Sequence, residues 1–447
     1  MKNYKQQFKG KKITIMGLGL IGRGVGVTKF LAECGADLIV TDLKTKKQLA
    51  TSLKSLEKFK NIKYVLGEHK LEDFSGRDMI IKSTGVPLDS IYTKEAKDKG
   101  VSIEMDVSLF AKCAPKVMII GVTGTRGKSM TTTLIYEILK SNEKYLKSNI
   151  YVGGNLRGLT TLSLLKKVKD GDILVCELDS WMLQGFGEAK ISPHISVFTS
   201  FMPDHMNYYK DSMEKYFDDK ANIYKFQNKD DVLIIRPGMN KYITKDIKSK
   251  LIVINKKEIE SWKFIVPGEN QRENLACAVK VAEQFNIPIS KIKKVVKDFK
   301  GLEGRIQLLK IYKGIKIYND NNATTPEATI SGIESFPTRQ GLVGKNIVLI
   351  CGGADKNLPL DNFVKVVNKH CKAVVLIPGT GTDKFLSSKQ KVVSSKVNSL
   401  EEAVKTALKH AKRGDIILFS PAFASFGMFN NEYERNDLFM EIIKKLK

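Results

Sequence analysis

Apolar positions along this chain fall in short runs, each closed by glycine or polar residues and followed by a segment whose apolar residues recur three and four apart. The first run is Ile13-Thr14-Ile15-Met16, and similar ones lie at 37–42, 63–66, 78–82 and 101–104. A second series lies at 116–120, 172–180 and 191–199, and a third at 315–318, 346–351, 373–378, 391–394 and 415–419. Parallel strands covered on both faces read as continuous apolar runs, and the segments between them carry the period of a helix. The clearest helical stripe is Leu134, Ile135, Ile138 and Leu139, and further helices are expected over 216–224, 275–284 and 433–446. Strand–helix alternation predicts parallel sheets with right-handed crossovers. At about 150 residues per domain, the 447 residues make about three domains, placed at 1–113, 114–300 and 301–447. The expected fold class is α/β: a Rossmann-like first domain, a central P-loop ATPase-type parallel sheet and a Rossmann-like last domain.

Two strand ends run into glycine turns. After the first strand comes Gly17-Leu18-Gly19-Leu20-Ile21-Gly22, and Asp42 closes the next strand 20 residues beyond Gly22. That spacing sets a diphosphate on a helix N-terminus and a carboxylate on a ribose hydroxyl. A dinucleotide and a UDP-sugar fit it equally. Ser83-Thr84-Gly85-Val86-Pro87 is a turn after another strand of the same unit.

The second glycine turn is Gly121-Val122-Thr123-Gly124-Thr125-Arg126-Gly127-Lys128-Ser129-Met130, a variant of the usual phosphate-loop spacing. Loop amides and the helix N-terminus would face an anion there, Lys128 would neutralise the β- and γ-phosphates, and Ser129 would ligate Mg²⁺. Glu177 lies in the apolar run 172–180, where an ATPase places a metal ligand. His205 follows a strand end and Lys220 lies in a helical segment. Read alone, each has an ordinary alternative, a structural histidine and a solvated lysine. In the last third, Gly352 to Lys356 and Ser420 to Phe426 occupy strand ends, where open parallel sheets bind ligands.

Charge adds one question. Lys+Arg 74 against Asp+Glu 48 leaves +26, which opens a polyanion-binding reading. The lysines are spread along the whole chain, with no dense basic tail and no arginine–aromatic interleaving. A lysine-rich surface around a site for phosphorylated small molecules is therefore expected, with no nucleic-acid partner. Cys34, Cys113, Cys176, Cys277, Cys351 and Cys371 show no C-x-x-C and no histidine at ligand spacing, so they read as reduced small hydrophobes. The segment Met1-Lys2-Asn3-Tyr4-Lys5 lacks an apolar signal region, and no run approaches the ~18 apolar residues of a membrane span. A cytoplasmic monomer without a membrane partner is expected.

Taken in order, these motifs resemble the Mur ligases of bacterial peptidoglycan synthesis, over essentially the whole chain. The resemblance rests on the loop 121–129, Glu177 with Leu178-Asp179-Ser180, Asp204-His205-Met206, and Lys220. It continues through Asp320 with Ala323-Thr324, Gly352-Gly353 to Lys356, and Ser420-Pro421-Ala422 with Ser425. Within the family it points to the branch that joins D-glutamate to UDP-N-acetylmuramoyl-L-alanine. It implies an ATP-dependent ligase in which the alanyl carboxylate is phosphorylated and the amino group of glutamate attacks the acyl phosphate.

The resemblance also implies roles. ATP would meet Gly124, Thr125, Arg126, Gly127, Lys128, Ser129, Met130, Asn274, Arg305 and Asp320. The UDP-substrate would meet Gly19, Leu20, Ile21, Asp42, Ser83, Gly85, Asn155 and Asp179. Glutamate would meet Thr324, Lys356, Ser425 and Phe426. Two Mg²⁺ ions are implied on Ser129, Glu177, His205 and Lys220, the lysine as a CO₂-derived carbamate with carboxylate-like oxygens. Lys128, His205, Lys220 and Glu177 would carry the catalysis. Arg126 stands where the family has asparagine, and Asn322, Gly427 and Glu432 depart from its amino-acid pocket, which leaves L-glutamate or another amino acid open.

Other classes remain at this point. A NAD-dependent oxidoreductase would use Gly17, Gly19, Gly22 and Asp42 but leaves the ATP loop and the last third unexplained. A non-catalytic UDP-precursor-binding descendant fits the departures. A folylpolyglutamate synthase-type ligase shares the central and last modules but not the first.

Overall fold

The computed structural model describes residues 4–20, 22–156, 160–243, 247–336 and 345–446. Three sheets carry it. The first is built from β1 (Lys12–Met16), β2 (Asp37–Asp42), β3 (Ile62–Leu66), β4 (Met79–Lys82) and β5 (Ser102–Glu104). Its order is β3-β2-β1-β4-β5 and every pairing is parallel. The second holds β6 (Met118–Thr123), β7 (Ile150–Gly154), β8 (Ile173–Glu177), β9 (Ile195–Phe198), β10 (Val232–Ile235) and β11 (Lys250–Val253). Its order is β11-β10-β9-β6-β8-β7, again all parallel. The third holds β12 (Gln307–Tyr312), β13 (Ile315–Asn319), β14 (Ile347–Gly352), β15 (Cys371–Ile377), β16 (Val393–Lys396) and β17 (Ile416–Ala422), in the order β12-β13-β17-β14-β15-β16. The chain divides into two compact units, Met1–Glu260 with Glu273–Ile292, and Ser261–Arg272 with Lys293–Lys447. The first two sheets lie in the former and the third in the latter.

The central strands are buried along nearly their whole length, β14 and β17 at every residue. This is why they read as unbroken apolar runs: helices cover both faces of a parallel sheet and leave no polar side to alternate with. Leu134, Ile135, Ile138 and Leu139 are all buried, as their spacing predicts. Two expected strands are shorter. The run 172–180 stops at Glu177, because Asp179 caps a helix, Ser180–Ala189, and its carboxylate accepts the Met182 N–H at 2.7 Å. The run 191–199 is a strand only over Ile195–Phe198, since Pro193 ahead of it has no N–H for a ladder. β12 is antiparallel to β13, so the last sheet is not purely parallel. Its half-buried mixed pattern hides it from a search for apolar runs.

Parallel strands bring their carboxyl ends to one edge. β1, β2 and β4 end at Gly17, Asp42 and Ser83; β6, β8 and β9 end at the phosphate loop, Glu177 and Thr199; β13, β14 and β17 end at Asp320, Gly353 and Phe423. The six cysteines are free thiols, five of them buried. Among the described residues no helix is long and apolar enough to cross a membrane.

Candidate active site

β6 carries the chain into Gly124, at φ 142°, and Gly127, at φ 89°, conformations that residues with a Cβ rarely adopt. The loop between them is tied to the end of β9. Thr125 N–H donates to Ser200 O (2.8 Å), Arg126 N–H to Ser200 Oγ (2.9 Å), and Thr199 Oγ1 to Arg126 O (2.6 Å). The Arg126 side chain is exposed, so the fold uses its backbone and not its charge. Gly127 starts the helix Lys128–Lys140, which places Lys128, Ser129 and Met130 in its first turn, at the positive end of the helix. Lys128 Nζ donates to Gly124 O (2.9 Å) and Thr125 O (3.2 Å). Asn274, on the helix Glu269–Glu283, is buried; its Oδ1 accepts from Thr131 Oγ1 (3.1 Å) and from the Arg236 guanidinium.

Lys220 is 1 % exposed. The helix Met213–Ala221 aims it inward, and Nζ donates to Gly124 O at 3.0 Å, the same carbonyl that Lys128 holds. Burial, followed by the charge of Lys128, lowers its pKa to about 7. Tyr216, one turn earlier, sets its ring 4.9 Å from Nζ and its hydroxyl 3.3 Å from Thr125 Oγ1. Asp219 anchors the other face of the helix: Oδ2 accepts from Gln184 Nε2 (2.8 Å) and Tyr209 OH (3.0 Å). Gln184 Oε1 in turn accepts from Lys82 Nζ at 3.4 Å, and Lys82 also donates to Val86 O at 2.9 Å. Lys82 is fully buried, which lowers its pKa to about 8.

His205 sits in the left-handed region, at φ 56°. Its ring packs on Trp181 (4.6 Å between centroids) and Tyr216 (6.3 Å), and the side chain stays 41 % exposed. Partial burial lowers its pKa; Asp204 opposes this, and the charges of Lys128 and Lys220 add to it. The neutral imidazole that results is the form that binds a metal. Glu177 closes β8 beside Val122 of β6, and its carbonyl accepts Asn155 N–H at 2.8 Å. The structure thus brings Lys128, Lys220, His205 and Glu177 around the same strand ends. Among the described residues, no three His, Cys, Asp or Glu side chains gather as a metal-holding group.

A cavity of about 330 Å³ opens at the carboxyl ends of the first sheet, lined by Gly17, Gly19, Asp42, Lys82, Ser83 and Gly85 among others. Asp42 locks the glycine turn: Oδ2 accepts Gly19 N–H and Oδ1 accepts Lys44 N–H, both at 2.9 Å. Leu20 projects from the turn, 59 % exposed; Ile21 lies outside the described residues. Asn155 is exposed, and Asp179 is buried in its helix cap.

In the last sheet, Lys356 Nζ donates to Thr324 Oγ1 at 3.0 Å. Ser425 is buried, Phe426 is exposed and Arg305 is exposed. Asp320 is buried, accepts from Ser420 Oγ (2.7 Å) and Ile306 N–H (3.3 Å), and burial raises its pKa to about 7. Arg435, wholly buried, joins the loops after β13 and β17: Nε donates to Asn321 Oδ1 (2.8 Å), Nη2 to Asn321 O (3.0 Å) and Nη1 to Phe423 O (3.4 Å). The pattern of the sequence singles out none of Arg435, Lys82, Gln184 and Arg236. The one available signal is Lys82, a cation closing an otherwise apolar strand.

This chain belongs to the Mur ligase family, the ATP-dependent ligases of peptidoglycan precursor synthesis. The MurD-like N-terminal domain of Mur ligases matches residues 11–104, the Mur ligase middle domain residues 122–290, and the glutamate ligase domain residues 304–423. A protein of Borreliella afzelii (strain PKo) named UDP-N-acetylmuramoylalanine--D-glutamate ligase is 34 % identical over 98 % of this chain and 99 % of its own length. One of the same name from Roseiflexus sp. (strain RS-1) is 33 % identical over 98 % of this chain and 99 % of its own. Among solved structures, the UDP-N-acetylmuramate-alanine ligase MurC of Thermotoga maritima shares the fold at a TM-score of 0.59 and 18 % identity, covering 98 % of this chain and 100 % of that one. MurF ligase of Thermotoga maritima, solved in complex with ADP, shares it at 0.58 and 17 %, covering 100 % and 99 %. The family expected from the motifs is thus the family found, and the first glycine turn belongs to a ligase domain rather than to a dehydrogenase.

Proposed function

We propose that this chain joins D-glutamate to UDP-N-acetylmuramoyl-L-alanine with hydrolysis of ATP to ADP and phosphate. The observation that carries the reading is the shared carbonyl, Gly124 O. It gathers the cation suited to a γ-phosphate, Lys128, and a second, buried lysine, Lys220, and the charges of both act on the imidazole of His205. A phosphate loop explains the first lysine but not the second. The names of the relatives supply the substrates.

A carboxylate does not acylate an amine in neutral water. The alanyl carboxylate oxygen attacks the γ-phosphorus of ATP, the bond to the β-phosphate oxygen breaks, and ADP leaves. The amino group of glutamate then adds to the acyl carbon of the acyl phosphate, inorganic phosphate departs and a proton is lost from nitrogen. Loop amides from Gly124 to Met130 hold the phosphates, and Lys128 offsets charge in the phosphoryl transfer. Asn274 serves ATP from outside the loop. Gly19, Leu20, Ile21, Asp42, Ser83 and Gly85 hold the UDP moiety, while Asn155 and Asp179 serve the muramoyl end. Lys356 with Thr324 and Ser425, flanked by Phe426, offers an ammonium and hydroxyls to a glutamate carboxylate.

The residues fit two Mg²⁺ ions on one condition. Ser129, Glu177 and His205 are oxygen and imidazole donors, but they make an incomplete set for a hard cation, which prefers carboxylate oxygens. A carbamate on Lys220 would complete it, and the buried amine held by Gly124 O supports that reading. When bound, the metal would supply charge neutralisation between the phosphates and the carboxylate.

Phosphate release on mixing ATP, UDP-N-acetylmuramoyl-L-alanine and D-glutamate tests the reading. It is expected to require all three. Lys128→Ala is expected to abolish it while UDP binding survives. Phosphate release that is indifferent to the amino acid would overturn it; a preference for L-glutamate would replace the amino acid and keep the chemistry.

A further inference from the structure

The helix Arg23–Glu33 starts directly after Gly22, which sits at φ 92°, so its N-terminus faces the 330 Å³ cavity. Its first residue, Arg23, is a cation that lines that cavity. Arg23 does not bend back onto its own helix. Nη2 reaches across to the end of β7 and donates to Gly154 O (3.3 Å) and to Asn155 Oδ1 (3.0 Å). Nε is buried and makes no hydrogen bond among the described residues. Asp106, the acid that senses its charge, spends both oxygens elsewhere, on Thr161 N–H (2.9 Å) and Leu162 N–H (2.8 Å). Arg23 is therefore a cation with donors to spare at the wall of a cavity where a helix N-terminus already favours an anion.

Its bond to Asn155 has a second effect. A carboxamide has two orientations, and a guanidinium can only donate. With Oδ1 accepting from Arg23, Asn155 keeps its Nδ2 as a donor.

We propose that Arg23 is a substrate-binding and positioning residue: its guanidinium takes the diphosphate of the UDP-linked substrate and holds Asn155 in the orientation that donates to the same substrate. This rests on the reading of the first cavity as the UDP site. The assignment goes to a diphosphate because the fork of a guanidinium matches phosphate oxygens bidentately, and uridine without phosphate has none to offer.

Calorimetric titration with UDP and with uridine, on the full chain and on Arg23→Met and Arg23→Lys, tests it. Arg23→Met is expected to weaken UDP by about tenfold or more, the scale of one charge-assisted hydrogen bond, and to change uridine by less than about twofold. Arg23→Lys, which keeps the charge and loses the fork, is expected to fall between. In turnover, the loss in kcat/KM of Arg23→Met with Asn155→Ala is expected to be smaller than the product of the single losses, because each breaks the same contact. Equal weakening of UDP and uridine, or no weakening of either, would overturn the inference, and so would multiplicative kinetic losses. A parent chain that binds neither ligand would instead overturn the UDP reading of the cavity and this inference with it. Thermal melting of both variants separates a binding loss from misfolding, and a folded Arg23→Lys alone decides the diphosphate arm.

Discussion

At the scale of single residues, Gly124 does the most with the least. Its carbonyl holds Lys128 and Lys220, and a Cβ there would stand 2.1 Å from Thr199 Oγ1 and 2.8 Å from Ser200 N, at a φ of 142°. Gly124→Ala is expected to destabilise the protein by about 1–3 kcal/mol and to remove ATP binding, read by urea denaturation and by nucleotide titration. Asp320 makes a prediction in pH. Its folded pKa is raised from 3.8 to about 7 by burial, so between those values the folded state holds a proton that the unfolded chain has released. Stability from this group is full at low pH, falls as pH rises towards 7, and is flat above. The stability of the parent chain minus that of Asp320→Asn is therefore expected to shrink by on the order of a few kcal/mol between pH 5 and pH 8. Hydrogen exchange in β14 and β17 reads it, and a difference independent of pH would contradict it. Lys128, Ser129 and Glu177 stood out in the sequence because a phosphate loop and a strand-end acid draw attention by type and order, whereas His205 stood out only through the family resemblance. Lys82 and Arg435 did not stand out, because a lysine at a strand end or an arginine in a first helical turn looks like a solvated surface residue until the fold buries it.

At the scale of elements, the helix Met213–Ala221 is the part to disturb. Its two inward faces are held differently, one by Lys220 on the phosphate loop and one by Asp219 on Gln184 and Tyr209. Burial raises the pKa of Asp219, so its donors are what keep an ion there tolerable. Gln184→Leu is expected to cost about 1–3 kcal/mol by leaving that carboxylate short of a donor. It is also expected to lower carbamate on Lys220, since the helix no longer fixes Nζ. Thermal melting and ¹³C NMR after labelled bicarbonate read the two effects, with Lys220→Met as the blank. A carbamate signal unchanged in Gln184→Leu would show that Asp219 does not position the lysine. Central strands such as β1, β6, β14 and β17 were legible as elements because both faces are covered, but β10, paired on both sides and largely buried, was missed because its run is only four residues long. Edge and amphipathic strands were less so: β12 has a mixed pattern, and β7, Ile-Tyr-Val-Gly-Gly, ends in glycines that suggest a turn. Those glycines have their own reason, since a Cβ on Gly154 would stand 2.0 Å from Glu177 O.

At the scale of the molecule, order carries more information than any one motif. Phosphate loops and glycine turns occur in many proteins, but a first-domain glycine turn, a phosphate loop, a strand-end glutamate, Asp-His and a buried lysine in this sequence order specify a ligase. Geometry adds what order cannot: Lys220 reaches Gly124 of the phosphate loop from 96 residues away in sequence, a contact no local pattern encodes. The charge of +26 comes mostly from lysines spread over the chain. The central claim is the amide bond itself. Mass spectrometry of the product formed from ATP, UDP-N-acetylmuramoyl-L-alanine and a mixture of isotopically distinguished D- and L-amino acids tests it most directly. The account predicts one new species, the UDP-linked substrate plus D-glutamate less water, absent with Lys128→Ala. A product carrying no amino acid, or none at all while ATP is consumed, would contradict it.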